Sequence, residues 1–238
     1  MITAAVLLIG DELLSGRTQD LNLNYIAKRL VEHGIVLQEC RMIPDVESMI
    51  IETVKTLSAR NTYVFTTGGI GSTHDDITQA SIAKVFGKPL ITHPDALKLL
   101  EEYYGPQLNE ARKRMACAAE GAILHARMVF QIKNVFVMAG IPKVMQEMFE
   151  SILPTLKHDE PIQSVSVKAY VFENDIADEL AALQASIPDV AIGSYPFDED
   201  GKVKGVCLVA RSRDATKLAA VKEQLQALVE EKIKITNK

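Results

Sequence analysis

The chain has 238 residues and a formal net charge of −5, enough for one large or two modest domains with buried cores. Its mild acidity, with no basic block interleaved with aromatics, argues against nucleic acid as a partner. Cys40, Cys117 and Cys207 are odd in number, far apart and in no metal-ligand spacing, so they predict buried thiols in a reducing cytoplasm rather than a disulfide or zinc framework.

The apolar run Ala4 to Ile9 lacks the basic flank of a signal peptide and is too short to cross a bilayer, so it predicts a buried first strand. No other window approaches a membrane-spanning length, and no membrane partner is expected. Gly10 to Arg17 follow as a loop carrying two carboxylates (Asp11, Glu12), the Ser15 hydroxyl and Arg17. Leu23, Ile26, Ala27, Leu30 and Val31 recur at helical spacing, with Asp20 or Asn22 as cap and Gly34 as stop. Val36 to Ile43 reads as a second strand. Pro44-Asp45 breaks it, and Val46, Ile50, Val54 and Leu57 mark one face of a helix. Asp45 has two readings at this stage, cap of that helix or ligand group.

After the apolar run Tyr63-Val64-Phe65 comes Thr66-Thr67-Gly68-Gly69-Ile70-Gly71-Ser72-Thr73-His74-Asp75-Asp76-Ile77-Thr78, and then Ala80, Ile82, Ala83, Val85 and Phe86 at helical spacing. A glycine-rich turn between a buried strand and a helix is where anions bind in α/β folds. Gly68, Gly69 and Gly71 free the backbone to bring N–H groups to a phosphate, and Thr66, Thr67, Ser72 and Thr73 add hydroxyls. Asp75 and Asp76 would repel that phosphate unless a divalent cation lies between them. The competing reading is structural: the glycines serve a turn and an aspartate caps the next helix. No lysine follows the glycines, so this is not a Walker A loop, and the spacing is not the dinucleotide fingerprint. If the strands run parallel, their carboxyl ends gather Asp11, Glu12, Asp45, Asp75 and Asp76.

Gly87 to Gly121 reads as helical and more polar, with one helix starting at Pro94 and a second carrying Arg112, Lys113 and Arg114, whose bases have two readings, contacts to phosphates or, the commoner meaning of such a run, a solvated face. Short strands at Ala122 to Leu124, Val129 to Ile132 and Val135 to Met138 leave no room for crossover helices, so part of the sheet is antiparallel. A helix through Val144, Met145, Met148, Phe149, Ile152 and Leu153 follows Gly140-Ile141-Pro142, and its methionines suit a core or an interface. The polar stretch Lys157-His158-Asp159-Glu160 marks a boundary between domains 1–158 and 159–238. The second domain reads β-α-β-β-α, a small α+β unit with Asp198-Glu199-Asp200-Gly201 as a solvated hairpin and Gly193-Ser194-Tyr195-Pro196 as a turn.

Taken together, Gly10-Asp11-Glu12-Leu13-Leu14-Ser15-Gly16 with Asp20 and Asn22, Pro44-Asp45, the Thr66 to Thr78 stretch, Ala139-Gly140-Ile141-Pro142 and Gly193-Ser194-Tyr195-Pro196 resemble the molybdopterin-binding (MoaB/Mog-like) domain at the N-terminus of competence/damage-inducible protein A, the CinA family. The segments occur in the family's order over most of the chain. The resemblance implies a three-layer α/β/α domain around a mostly parallel sheet, plus the small C-terminal α+β domain. It implies that a pterin or nucleotide phosphate lies on Thr67, Gly68, Gly69, Gly71, Ser72 and Thr73, with Ser15 and Gly16 beside it. Asp45 and Asp76 match the acidic site residues of related molybdenum-cofactor enzymes, and Asp11, Glu12, Asp75 and Asp76 are the expected holders of Mg²⁺, Mn²⁺ or Co²⁺. CinA-type domains are associated with metal-dependent hydrolysis of ADP-ribose-like pyrophosphates, and a similar domain accompanies eukaryotic FAD synthase. Molybdopterin as the ligand, or Mg-ATP-dependent adenylyl transfer, is the alternative expectation, and related domains assemble as homo-oligomers.

The sequence departs from the family in two ways. A C-terminal amidohydrolase domain has no room in 238 residues, so deamidation of nicotinamide mononucleotide is not expected. The family's Asn-Pro-x-Gly-Thr-Ala-Pro-Gly-like loop is replaced by His125-Ala126-Arg127-Met128-Val129-Phe130, so part of the pocket is expected to differ.

Overall fold

The computed structural model describes residues 1–236; the last two residues of the predicted second domain lie outside them. The chain forms two compact units, Met1–Asp159 and the residues from Glu160 onward.

In the first unit, β1 (Thr3–Ile9), α1 (Asp11–Leu14), α2 (Asn22–Glu32), β2 (Val36–Ile43), α3 (Glu47–Arg60), β3 (Tyr63–Thr67) and α4 (Thr78–Val85) come first. They are followed by β4 (Leu90–Thr92), α5 (Pro94–Tyr104), α6 (Glu110–Lys113), β5 (Cys117–Ala119), β6 (Ile123–Leu124), β7 (Phe130–Ile132), β8 (Val135–Met138) and α7 (Pro142–Ile152). The main sheet has the order β2-β1-β3-β8-β7-β6. Its first four strands are parallel, and β7 and β6 complete it antiparallel, as the short spacing of these segments requires.

β1 is covered on both faces, which is why its sequence is a continuous apolar run instead of an alternating one. Ala4, Val6 and Leu8 pack with Ile26 and Leu30 of α2 and with Met145, Met148 and Phe149 of α7. Ala5, Leu7 and Ile9 pack with Ile50, Val54 and Leu57 of α3 and Ile82 of α4. The unit is therefore a three-layer α/β/α sandwich with a core on each side of the sheet. Met145 and Met148 are buried, so they belong to the core, and the interface reading for them is set aside. Asp20 is the cap of α2: its carboxylate accepts from the amides of Asn22 and Leu23 at 3.2 and 3.0 Å. Asn22 instead donates from Nδ2 to the Gly140 carbonyl at 2.8 Å, tying the start of α2 to the loop after β8.

Three expectations need correction here. The stretch predicted to be helical from Gly87 to Gly121 also contains the antiparallel pair β4 and β5. Strands of three residues are too short to show a period-2 pattern. Val31 and Val46, read as core-facing, are exposed at the margins of their helices. Cys40 is exposed and Cys117 and Cys207 are half-buried; Cys40 lies on β2, an edge strand whose alternate side chains are not covered.

The second unit contains β9 (Gln163–Ala169), α8 (Ala177–Ser186), β10 (Ala191–Glu199), β11 (Lys202–Ser212) and α9 (Ala215–Thr236). Its antiparallel sheet has the order β10-β11-β9. Ala169, Val206, Leu208 and Ala210 pack against Leu218, Val221 and Leu225 of α9. Asp200 and Gly201 join β10 to β11 with φ of 55° and 73°, a two-residue hairpin of the kind whose twist matches the flanking strands. Gly193-Ser194-Tyr195-Pro196 is not a turn. It lies within β10, and Pro196 is accommodated because β10 is an edge strand. Among the described residues no helix is long and apolar enough to cross a membrane.

Candidate functional site

The loops at the carboxyl ends of β1, β2, β3 and β8 surround a cleft of about 700 Å³, the usual ligand position in an open parallel sheet. Gly10 and Glu12 enter it from the first loop, Asp45 from the second, Gly68 to Gly71 with Asp75 and Asp76 from the third, and Ala139 to Pro142 from the fourth. Tyr104 at the end of α5 and Met115 close one side.

The glycine loop combines both readings of its sequence. Gly68 and Gly69 have φ of 103° and 63°, a region where a β-carbon is strained. A β-carbon on Gly68 would also land on the Ile9 carbonyl oxygen, and one on Gly69 would strike the Thr78 hydroxyl and lie 3.3 Å from Asp45 Oδ1. At Gly71 it would meet Asp76 Oδ2 at 2.5 Å. The loop is pinned at its ends: the Gly68 amide donates to the Met138 carbonyl at 3.1 Å, and Thr78 donates from its amide to Gly69 O and from Oγ1 to Gly68 O, each at 3.0 Å. Between those pins, the amides of Gly69, Ile70, Gly71 and Ser72 have no hydrogen-bond acceptor among the described residues. Four successive free donors on a half-buried loop are the requirement for an oxyanion cradle.

The acidic residues sit around these donors. Asp45 does not cap its own helix. Its Oδ2 accepts from the Asp11 amide at 3.1 Å, capping α1 in the neighbouring loop. Burial pushes the Asp45 carboxyl above its ordinary range, and the nearby charges of Asp11, Glu12 and Asp75 add to that effect, while the Asp11 amide opposes it. Asp76 does not cap α4 either; its Oδ2 accepts from the Thr73 amide at 2.7 Å and from Thr73 Oγ1 at 2.6 Å. Among the described residues Asp11, Glu12, Asp45 and Asp76 have no lysine or arginine partner. This uncompensated negative charge fits a divalent cation. No three His, Cys, Asp or Glu side chains among the described residues stand close enough to hold a metal unaided. A Mg²⁺-like ion that takes one or two carboxylates and completes its shell with water and ligand phosphate oxygens suits the set that is present.

The other predicted residues divide. Thr67 is buried at the end of β3 and lines a smaller cavity with Leu13, Asp20 and Gly140. Thr73 lies on the α4 side of the loop, and Ser72 presents its carbonyl to Arg114 Nη1 at 3.4 Å. Asp11 contributes its amide to Asp45 without lining the cleft, and Ser15 and Gly16 also lie outside the lining, with Ser15 Oγ donating to the Glu12 carbonyl at 3.3 Å. Gln79, Tyr104 and Met115 are site-adjacent residues that sequence reasoning missed, whereas Arg114 belongs to the basic run for which phosphate contact is the second reading. Of the basic run, Arg112 covers the Tyr104 ring and Lys113 pairs with Glu110 at 2.7 Å. Only Arg114, where the chain leaves α6 for a 3-10 turn, reaches the glycine loop.

Beside the cleft, and sharing Ile70, Tyr104, Met115, Ala139 and Val144 with it, is an apolar recess of about 460 Å³. Its far wall includes Arg127 and Met128, which stand where the family motif is replaced and have φ of 58° and 61°. Ser151 Oγ donating to Ala126 O at 3.0 Å and an Arg127–Glu147 ion pair at 3.6 Å hold that segment against α7. Two successive non-glycine residues in the left-handed region carry strain of a kind found at ligand sites.

An α/β/α sandwich with a glycine, threonine and aspartate loop at the carboxyl ends of its parallel strands defines the class. Residues 5–158 match the family model described as a probable molybdopterin binding domain, and the chain belongs to that MoaB/Mog-like family, in its CinA type. Residues 161–238 match the model described as the FAD synthase middle domain. A protein of Archaeoglobus fulgidus is 32% identical over 232 residues, covering 95% of this chain and 98% of its own. A protein of Alkaliphilus oremlandii, named for competence-damage induction, is 34% identical over 167 residues, which is 65% of this chain and 40% of that one. Among solved structures, CinA from Thermoplasma acidophilum, titled as of unknown function, superimposes with a TM-score of 0.60 at 26% identity, covering 64% of this chain and 96% of that one.

Proposed function

We propose that the first unit binds a nucleotide through its phosphates and hydrolyses ADP-ribose-like pyrophosphates with a divalent metal. The observation that carries this reading is the juxtaposition of four loop amides without an acceptor and the Asp45 and Asp76 carboxylates without a lysine or arginine partner, among the described residues, around one cleft. Donors alone would suit any anion. Donors beside uncompensated carboxylates suit a phosphate that brings a cation with it. Asp76, with Asp45 or Glu12, which line the cleft as Asp11 does not, would hold Mg²⁺, Mn²⁺ or Co²⁺, which when bound lowers the pKa of a water ligand and neutralises charge on the phosphates. The chain's own contribution is positioning. Thr73 fixes Asp76, the Asp11 amide fixes Asp45, and the loop amides hold one phosphoryl group in place. The recess would take a planar ring attached to that phosphate.

A molybdopterin-binding module, or an Mg-ATP-dependent adenylyltransferase of molybdenum cofactor assembly, is the second reading, and it is favoured by the family whose model covers residues 5–158. The test is incubation of the protein with ADP-ribose, FAD and ATP separately, with each metal, and chromatography for AMP, with Asp76→Ala as the control. AMP that requires both metal and Asp76 supports the hydrolase. A folded protein that releases no AMP but binds molybdopterin supports the second reading.

A further inference from the structure

Behind the glycine loop, on the side of α4, lies a second, smaller pocket of about 120 Å³. It shares Ile70, Gly71 and Asp76 with the main cleft, and the Asp76 carboxylate stands over Gly71 where the two adjoin. Its remaining polar lining is Thr73, Gln79 and Arg114. Gln79 is 8% exposed, on the first turn of α4, and its Nε2 is buried with no hydrogen-bond partner. A buried donor left unpaired costs on the order of 1–3 kcal/mol, so its retention in a polar pocket calls for an acceptor. Arg114 spends one N–H on the Ser72 carbonyl at 3.4 Å and has no ion pair among the described residues. Its other N–H groups have no acceptor among the described residues.

We propose that this pocket is the subsite for the second phosphoryl group of a diphosphate-containing ligand, with Gln79 Nε2 and the Arg114 guanidinium as its donors. The proposal rests on the nucleotide reading above and deepens it. One phosphoryl group lies on the loop amides, and the next enters the pocket where it adjoins the cleft at Ile70, Gly71 and Asp76. The pocket has room for one tetrahedral oxyanion in place of several waters. Asp76 also lines the pocket, but its Oδ2 is already engaged by Thr73, and the cation of the proposed reaction would offset its charge. The guanidinium is the natural partner for such a group, since its planar donors pair with two phosphate oxygens at once.

The test is isothermal titration of the intact chain with AMP and with ADP in Mg²⁺ buffer, for wild type, Gln79→Leu and Arg114→Gln. Wild type should bind ADP at least about tenfold more tightly than AMP, the scale of one hydrogen bond to a charged group. Each variant should lose most of that advantage while its AMP affinity stays at the wild-type value. Gln79 is buried, so Arg114→Gln, at an exposed position, keeps the test valid if Gln79→Leu misfolds. Equal wild-type affinities for AMP and ADP, or an ADP preference untouched by Arg114→Gln, overturn the subsite and leave the nucleotide reading standing. No binding of either ligand overturns both.

Discussion

The Asp45 carboxylate accepts a hydrogen bond from the Asp11 amide at 3.1 Å, across thirty-four residues of sequence. The bond joins the loop after β2 to the loop after β1, and Asp45 Oδ1 meanwhile stands over Gly69 in the third loop. One side chain thus coordinates three of the four loops that form the cleft.

That placement has a pH consequence. Burial, together with neighbouring carboxylates, raises the Asp45 carboxyl above its ordinary value of 3.8, so the folded chain holds this proton more tightly than the unfolded chain does. Ionisation therefore costs stability, beginning near the ordinary value and complete above the raised one. Asp45→Asn keeps an acceptor for the Asp11 amide and removes the charge. At pH 7 without metal it should stabilise the fold slightly, seen as a small rise in melting temperature, while AMP release is lost. A lower melting temperature would show that the carboxylate is not under repulsion.

The glycines of the loop should separate fold from function. Gly68→Ala puts a methyl group onto the Ile9 backbone at a φ of 103°, and a buried carbonyl cannot move aside. It should cost about 3 kcal/mol or more, visible in urea unfolding. Gly71→Ala meets only the Asp76 carboxylate, at 2.5 Å, and a side chain can yield. That variant should unfold within about 1 kcal/mol of wild type yet bind nucleotide far more weakly. Equal destabilisation by the two would contradict this distinction.

On the opposite side of the sheet, Glu150 of α7 clamps Arg29 of α2 with bonds of 2.7 and 2.9 Å and accepts from the Tyr25 hydroxyl at 2.7 Å. The Arg29 guanidinium holds the Glu150 carboxyl below its ordinary value of 4.5. Its stabilisation is therefore present above that value and fades as pH falls through the depressed folded one. Glu150→Gln should cost about 1 kcal/mol at pH 7, since both groups are partly exposed and screened. The difference should shrink when melting is repeated near pH 3, and a pH-independent difference would mean that packing, not charge, is lost.

Metal binding should require the nucleotide. With no preassembled ligand cluster among the described residues, Mn²⁺ should bind the protein alone weakly and bind markedly better once ADP-ribose supplies phosphate oxygens. Water-proton relaxation titrations with and without the nucleotide read this directly. Tight binding to the protein alone would point to a rearranged carboxylate cluster.

Much of this molecule was legible in its residues. The unbroken apolar run from Ala4 to Ile9 required a strand covered on both faces, and the turn residues between Thr66 and Thr78 marked a strand-to-helix loop. The gap lengths before Val135 required an antiparallel edge. The family's order of motifs pointed to the acidic face. Short elements escaped, because three residues of β4 or β5 carry no period, and Gly193 to Pro196 misled because glycine, serine and proline fit an edge strand as well as a turn.

The side chains that matter at the site were decided by tertiary structure. In sequence Asp45 reads as a cap or a ligand group, but only the parallel pairing of β1 and β2 aims it at the Asp11 amide instead of its own helix. Arg114 is indistinguishable in sequence from Arg112 and Lys113, and a 3-10 turn alone brings it to the loop. Local periodicity and turn chemistry determine which elements form, because they depend on neighbours in the chain. Which carboxylate, amide and guanidinium share a cleft depends on strand order and helix exit angles, which are set by packing between residues far apart in sequence.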